Sequence, residues 1–177
     1  MKGCSVNRPL PAVRLRVPTH EDAVAWHRIF ADPEVMRFHG GRPAGLSVYE
    51  ELTARQRLHD AEHGFCLWTV LDESGEVIGF TGAQPWRRDW GPVGEIEIGW
   101  RLGRAHWGRG YVTAAARETL SRVREAGVPG VVALVLQGNE RSIAVTRRLG
   151  MEPAETYAHP TLDEPVLSFR LRFQHSQ

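Results

Sequence analysis

The sequence lacks the features that define several common protein classes. No apolar run approaches the roughly 18 residues that a membrane-spanning helix needs, and the first residues contain no apolar segment typical of a secretory signal. Two cysteines are too few for a disulfide framework. The 22 lysines and arginines are balanced by 21 acidic residues, which leaves no basic footprint for nucleic acid or an anionic membrane. We therefore expect a cytoplasmic protein with reduced thiols that binds neither nucleic acid nor a membrane.

Two nucleotide-binding motifs are also missing. The only lysine is Lys2, so there is no Gly-Lys pair for a Walker A loop. A dinucleotide fingerprint that started at Gly108 would have Thr113 in its third glycine position. The apolar strand that follows also ends without the acidic residue that binds a ribose. These absences disfavour a dinucleotide-dependent oxidoreductase.

The periodicity of apolar residues predicts a single α/β (α+β) domain over residues 12–173, between tails at 1–11 and 174–177. Ser47 and Glu50 form a capping box that predicts the start of the second helix. The unbroken apolar run at 131–136 predicts a strand with parallel neighbours. The predicted strands are 13–17, 65–72, 77–86, 95–102, 131–136, 151–158 and 166–173, with helices after Thr19, Ser47, Gly110 and Asn139.

Two glycines stand at the start of a predicted helix, in the stretch WGRGY (107–111). The first N–H groups of a helix have no partner within the helix, and the helix dipole is positive at that end. Glycine also allows a ligand to approach the backbone closely. The stretch is therefore a candidate cradle for a pyrophosphate. The alternative is a strand-to-helix turn that needs two glycines.

Three linked motifs carry a family resemblance. The chain resembles the GNAT superfamily of acyl-CoA-dependent N-acyltransferases in the stretch EIEIGWRLGRAHWGRGYVTAAARETL (95–120), in the buried strand that follows, and in NERSIAVTRRLGM (139–151). Within it, the motifs look most similar to the branch that acetylates the N-termini of ribosomal proteins. The resemblance implies a single mixed, mostly antiparallel sheet, splayed in the middle, with helices on both faces. It also implies acetyl-CoA as the co-substrate, and a primary amine that attacks it directly in a ternary complex.

The same resemblance implies where acetyl-CoA binds. Backbone groups of the strand ending at Leu102 would hold the pantetheine arm, the glycine loop would hold the phosphates, and Asn139 would contact the pantetheine amides. Arginines near these elements are candidates for phosphate contacts. The implied binding residues are Ile98, Trp100, Leu102, Trp107, Gly108, Arg109, Gly110, Tyr111, Asn139, Ser142 and Arg148.

An amine must lose a proton when it attacks a thioester, so we looked for a base. Strict alternation in GEIEIGW places Glu95 and Glu97 on one face of a strand and Ile96, Ile98 and Trp100 on the other. A carboxylate in a cleft with apolar walls has a raised pKa, which suits a base at neutral pH. We predict Glu97 as the first choice and Glu95 as the second. The alternative is that both are ordinary surface acids.

The leaving thiolate needs a proton or a hydrogen bond. Many members of the family have a tyrosine four residues before the glycine that ends the last motif, but here Thr146 stands there. Ser142 lies one turn earlier on the same helix face and nearer its positive end. We therefore predict that Ser142 stabilises the thiolate.

The acceptor is a protein N-terminal α-amine or a small-molecule amine, and the candidate acceptor loops are FHGGR (38–42) and WRRDW (86–90). The alternative for both loops is a surface turn, and we favour it for His39 because one histidine without a partner makes no site. A non-catalytic acyl-CoA-binding module is the alternative function. We predict no metal site, on the interpretation that the histidines form no H-x-x-x-H and the cysteines no C-x-x-C. A homodimer is the default expectation because dimers are the commonest soluble assembly.

Overall fold

Seven strands form one mixed sheet in the computed structural model, which describes residues 9–174. The strands lie in the order β1-β2-β3-β4-β5-β7-β6, and only β4 and β5 pair in parallel. The strands are β1 (Arg14–Arg16), β2 (Leu67–Leu71), β3 (Val77–Pro85), β4 (Ile96–Leu102), β5 (Gly130–Leu136), β6 (Glu152–Ala158) and β7 (Pro165–Arg172). The helices are α1 (Asp22–Ile29), α2 (Pro33–Met36), α3 (Leu46–His63), α4 (Tyr111–Glu125) and α5 (Glu140–Arg148).

The sheet opens in its middle. Strands β3 and β4 pair along their whole length, from Gly79–Leu102 to Pro85–Ile96. Strands β4 and β5 pair only at Glu97–Val132. The two strands therefore diverge beyond Glu97, which confirms the predicted splay and leaves an edge of β4 free of strand partners.

Helices cover both faces of this sheet. Helices α4 and α5 pack on one face, where Ala115, Val123 and Val145 join Ile98 and Leu102 in a buried core. On the other face, α1, α2 and α3 cover a second core that includes Trp26, Phe30, Met36, Tyr49 and Phe80. The alternation of β4 assigns Ile98, Trp100 and Leu102 to the α4 face, and Glu97, Gly99 and Arg101 to the α1–α3 face.

Several local predictions differ from the structure. Helix α3 begins at Leu46 with Gly45 as its N-cap, so the capping box at Ser47 is wrong. Helix α2 lies in a stretch for which no element was predicted, and it forms because the Asp32 side chain accepts from the Glu34 N–H and Pro33 occupies the first turn. Strand β5 has one parallel neighbour, β4, and one antiparallel neighbour, β7.

The predicted tails lie mostly outside the described residues, which include only 9–11 of the first and 174 of the second. Residues 9–11 form no regular element, and Pro9 and Leu10 line the main cleft. Within residues 9–174, no helix combines the length and hydropathy needed to span a bilayer.

Candidate active site

The main cleft has a volume of about 580 Å³ and lies beside the free edge of β4. Its walls are the end of β4, the loop before α4, the first turn of α4, helix α5, and α2 with the loop after it. Nine of the predicted binding residues line it: Trp100, Leu102, Trp107, Gly108, Arg109, Gly110, Asn139, Ser142 and Arg148. Ile98 and Tyr111 are instead buried in the core, so only their backbone groups remain as candidates for ligand contact.

The glycine loop has the backbone conformation that makes it a cradle. Gly108 and Gly110 have φ values of 68° and 89°, in the left-handed region that favours glycine. Gly110 is the N-cap of α4. A Cβ at Gly110 would lie 3.1 Å from the Leu10 Cδ2, whereas a Cβ at Gly108 would project into open space. Backbone N–H groups at this helix end, with arginines on the cleft wall, fit a pyrophosphate.

Side chains hold this loop in place. The Trp107 Nε1 donates to the Leu102 carbonyl at 2.8 Å, and the Arg141 guanidinium lies 4.6 Å from the centroid of the Trp107 ring. The Tyr111 hydroxyl donates to Glu73 at 2.6 Å, on the turn between β2 and β3. The Tyr111 side chain therefore anchors the loop rather than lining the cleft.

Glu97 lies on β4 opposite Gln84 of β3. Desolvation by the surrounding protein raises the pKa of Glu97 to about 7, while a hydrogen bond from Gln84 and the charge of Arg88 act in the opposite direction. A carboxylic acid with this pKa exchanges a proton with solvent near neutral pH, which is the property a general base needs. Glu97 itself is half-buried and is not among the residues that line the main cleft.

A buried relay orients the Gln84 amide. Gln56 of α3 accepts from the Leu67 N–H through its Oε1, at 2.9 Å. Its Nε2 must therefore be the donor to the Gln84 Oε1, also at 2.9 Å. The Gln84 nitrogen is then the group that lies nearer to Glu97 and lowers its pKa. Neither glutamine is evident from the sequence, because their alignment with Glu97 depends on the packing of α3 and on the register of β3 against β4.

Glu95 is held in a different way. Its two carboxylate oxygens accept from the Nε and Nη2 of Arg170, at 2.8 and 2.7 Å. Arg170 also contacts Glu155 across the outer strands. An acid engaged by both oxygens with a guanidinium is a weaker candidate for a base than Glu97.

Helix α5 presents Ser142 to the cleft and keeps Thr146 away from it. The Trp100 Nε1 donates to the Ser142 Oγ at 3.2 Å, which leaves the hydroxyl proton of Ser142 free to be donated. The Asn139 side chain accepts from the Ser142 N–H as the predicted N-cap. Thr146 is fully buried, and its hydroxyl donates to the Ile143 carbonyl at 2.8 Å. The proton of Thr146 is therefore committed to the helix backbone.

Two cleft residues were missed or set aside by sequence reasoning. Arg101 lines the cleft on the same strand face as Glu97. His39, which sequence reasoning favoured only as part of a surface turn, lies in the same wall. Burial and the charge of Arg101 lower its pKa to about 3, so its imidazole is neutral at physiological pH. Strict alternation from Glu97 would have placed Arg101 on this face.

The metal prediction overlooked one H-x-x-x-H spacing, which the sequence does contain. His59 and His63 are four residues apart on α3, and their ring centroids are 4.5 Å apart. The His59 Nδ1 donates to the Phe65 carbonyl at 2.6 Å. Among residues 9–174, no third histidine, cysteine or acid completes a metal-binding group with them.

Comparisons with known proteins identify the class. The model of the acetyltransferase (GNAT) domain matches residues 12–152, and the chain therefore belongs to the GNAT acetyltransferase family. The protein is an acyl-CoA-dependent acetyltransferase.

The chain is also similar to several individual proteins. The chain is 33% identical to the uncharacterized protein YkkB of Bacillus subtilis, over 81% of this chain and 84% of that one. It is 31% identical to the L-methionine sulfoximine/L-methionine sulfone acetyltransferase of Pseudomonas aeruginosa, over 58% of this chain and 60% of that one. Its fold is similar to that of the Salmonella typhimurium protein YncA, solved with its cofactor acetyl-CoA. In that comparison the TM-score is 0.73 at 17% identity, covering 94% and 97% of the two chains.

Proposed function

We propose that the protein transfers an acetyl group from acetyl-CoA to a primary amine by direct attack in a ternary complex, with Glu97 as the general base. The observation that carries this proposal is a desolvated carboxylic acid on the free-edged strand β4 whose pKa is raised to about 7. The acceptor is a small-molecule amine or a protein N-terminal α-amine. The cytoplasm, where acetyl-CoA is made and used, is the proposed location.

The proposed chemistry forms one bond and breaks one. The amine nitrogen attacks the thioester carbonyl carbon, a C–N bond forms, and the C–S bond breaks. Glu97 takes the proton that the amine loses, directly or through a water. A backbone N–H on the free edge of β4 serves the oxyanion, because β5 leaves that edge unpaired beyond Glu97. The leaving thiolate takes its proton from solvent or from the nitrogen of the product.

The identity of the acceptor amine has less support than the other parts of the proposal. The motifs over 95–151 favour a ribosomal-protein N-terminus, whereas the name of the Pseudomonas aeruginosa relative points to a free amino-acid derivative. A homodimer remains the proposed assembly.

The function is tested by release of free CoA. The purified protein is incubated with acetyl-CoA and a panel of peptides, amino acids, polyamines and aminoglycosides, and the free thiol is measured. We expect release with at least one amine and a mass gain of one acetyl group on that amine. A rise in melting temperature with acetyl-CoA but no release with any amine would instead support a non-catalytic acyl-CoA-binding module.

Ser142 is proposed to stabilise the leaving thiolate. We expect Ser142→Ala to lower kcat by about tenfold, because a transition-state hydrogen bond of about 1.4 kcal/mol is lost. Thr146→Ala is the matched control from the same helix face, and it should do less because its hydroxyl serves the Ile143 carbonyl. The measurement is steady-state turnover at saturating acetyl-CoA. A larger loss from Thr146→Ala would make Thr146 the acid and Ser142 a structural residue.

A further inference from the structure

Arg101 is a charged residue of β4 that no acid neutralises. Within residues 9–174 it forms no ion pair with a carboxylate. Its Nε is buried without a hydrogen-bond partner among the described residues, and its Nη1 donates to the Met36 sulfur, at 3.6 Å. Arginine side chains that leave water usually pair with an anion, because desolvating an unpaired charge is costly.

The groups around Arg101 do not supply that anion. The guanidinium lies 5.1 and 5.3 Å from the centroids of the Phe30 and Phe80 rings, which attract a cation weakly. The Tyr49 hydroxyl oxygen lies beside the guanidinium and favours its charged form. The proton of this buried hydroxyl has no acceptor among the described residues. His39, the titratable group facing it from the loop after α2, is neutral at physiological pH. Two buried donors therefore meet directly behind the part of the cleft wall that Arg101 forms.

The position of Arg101 relative to Glu97 is informative. Both side chains lie on the α1–α3 face of β4, with Gly99 between them. A Cβ at Gly99 would have nothing within 4 Å of it, so the surface between the two charged residues is open. Arg101 itself lines the main cleft. A molecule lying over Gly99 would have one end near the proposed base and the other near the guanidinium.

We propose that Arg101 binds a carboxylate of the acceptor, with the Tyr49 hydroxyl as a second donor, so that the substrates are small molecules carrying both an amine and a carboxylate. Arginine binds carboxylates through two parallel N–H groups, which would fix the orientation of the acceptor. The amine would then face Glu97 across Gly99. This inference rests on the proposed acetyl transfer to an amine and names its substrate class.

The experiment compares acids with their amides. Pairs of L-amino acids and L-amino-acid α-amides, with β-alanine, γ-aminobutyrate and their amides, are assayed at saturating acetyl-CoA by release of free CoA. We expect the acid of the best pair to exceed its amide in kcat/KM by about tenfold, an effect in KM typical of one charged hydrogen bond. Arg101→Gln should abolish this preference by raising the KM of the acid alone. Arg101→Lys should keep part of it, because the charge remains without the fork.

Arg55→Gln is the matched control, since Arg55 is exposed on α3 and outside the cleft. The dissociation constant for acetyl-CoA and the melting temperature of each variant report on the fold. Equal use of acid and amide by the wild type would overturn the inference, as would an Arg101→Gln that slows both alike. Turnover of peptide N-termini but of none of these pairs would overturn it too. If none of the amines tested caused release of CoA, that result would count instead against the proposed function.

Discussion

Glu97→Gln is expected to lower turnover at pH 7 by about 10²-fold, a typical contribution of a general base. The glutamine keeps the size and the polarity of the side chain but cannot accept the proton of the attacking amine. The affinity for acetyl-CoA, measured by calorimetry, should not change, because Glu97 does not line the main cleft. Part of the lost rate should return at high pH, where more of the amine is already neutral.

The pH dependence gives the sharper test. Glu97 works as a carboxylate, so kcat/KM of the wild type should rise with pH through about 7, the pKa that burial gives this acid. In Glu97→Gln this rising limb of the pH profile of kcat/KM should disappear. Gln84→Leu removes a hydrogen bond that lowers this pKa, so the limb should move to higher pH while the maximal rate is kept.

Glu95→Gln is the control for this prediction. Its carboxylate is bound by Arg170, and its loss should affect stability more than turnover. If Glu95→Gln removed the rising limb of the pH profile and Glu97→Gln did not, Glu95 rather than Glu97 would be the general base. If neither variant changed the profile, the amine would lose its proton to solvent without a protein base.

Gly108→Val is expected to weaken acetyl-CoA binding by about 10²-fold. Its Cβ would project into the open space of the cleft, where it blocks the approach of a phosphate to the backbone N–H groups. Each charged hydrogen bond contributes about 1.5–3 kcal/mol, so the loss of one or two accounts for the expected change. The measurement is the dissociation constant for acetyl-CoA by calorimetry.

Gly127→Val separates backbone strain from ligand contact. Gly127 follows the other end of α4, has a φ of 83°, and also has open space around a Cβ. Both variants place a β-branched residue in the left-handed region, at a cost of at least about 1–2 kcal/mol. They should therefore lower the melting temperature similarly, and only Gly108→Val should lose affinity. Unchanged affinity in a folded Gly108→Val would remove the basis for a phosphate site at this loop.

The positions of most strands along the chain followed from the sequence because these strands are short apolar or alternating runs bounded by turn residues. The start of α3 did not, because the signal at Ser47 lies one turn inside a helix capped by Gly45. The start of α5 after Asn139 was predicted correctly, because the bond from the Ser142 N–H to the Asn139 side chain is local in the sequence. The relay from Gln56 to Gln84 could not be predicted, since it joins a helix to a strand and depends on register.

The single backbone pairing between β4 and β5, at Glu97–Val132, also has a consequence for how the protein unfolds. Strands β1–β4 and β5–β7 form two half-sheets whose direct backbone connection is weak, so the seam between them is where local opening costs least. A pantetheine arm bridging this seam would act as an extra strand. At a hundred times its dissociation constant, a ligand of the native state adds about 2.7 kcal/mol to stability. Amide hydrogen exchange along β4 and β5 should then slow as acetyl-CoA is added. The coenzyme supply of the cell would therefore affect the stability of the folded protein as well as its rate of turnover.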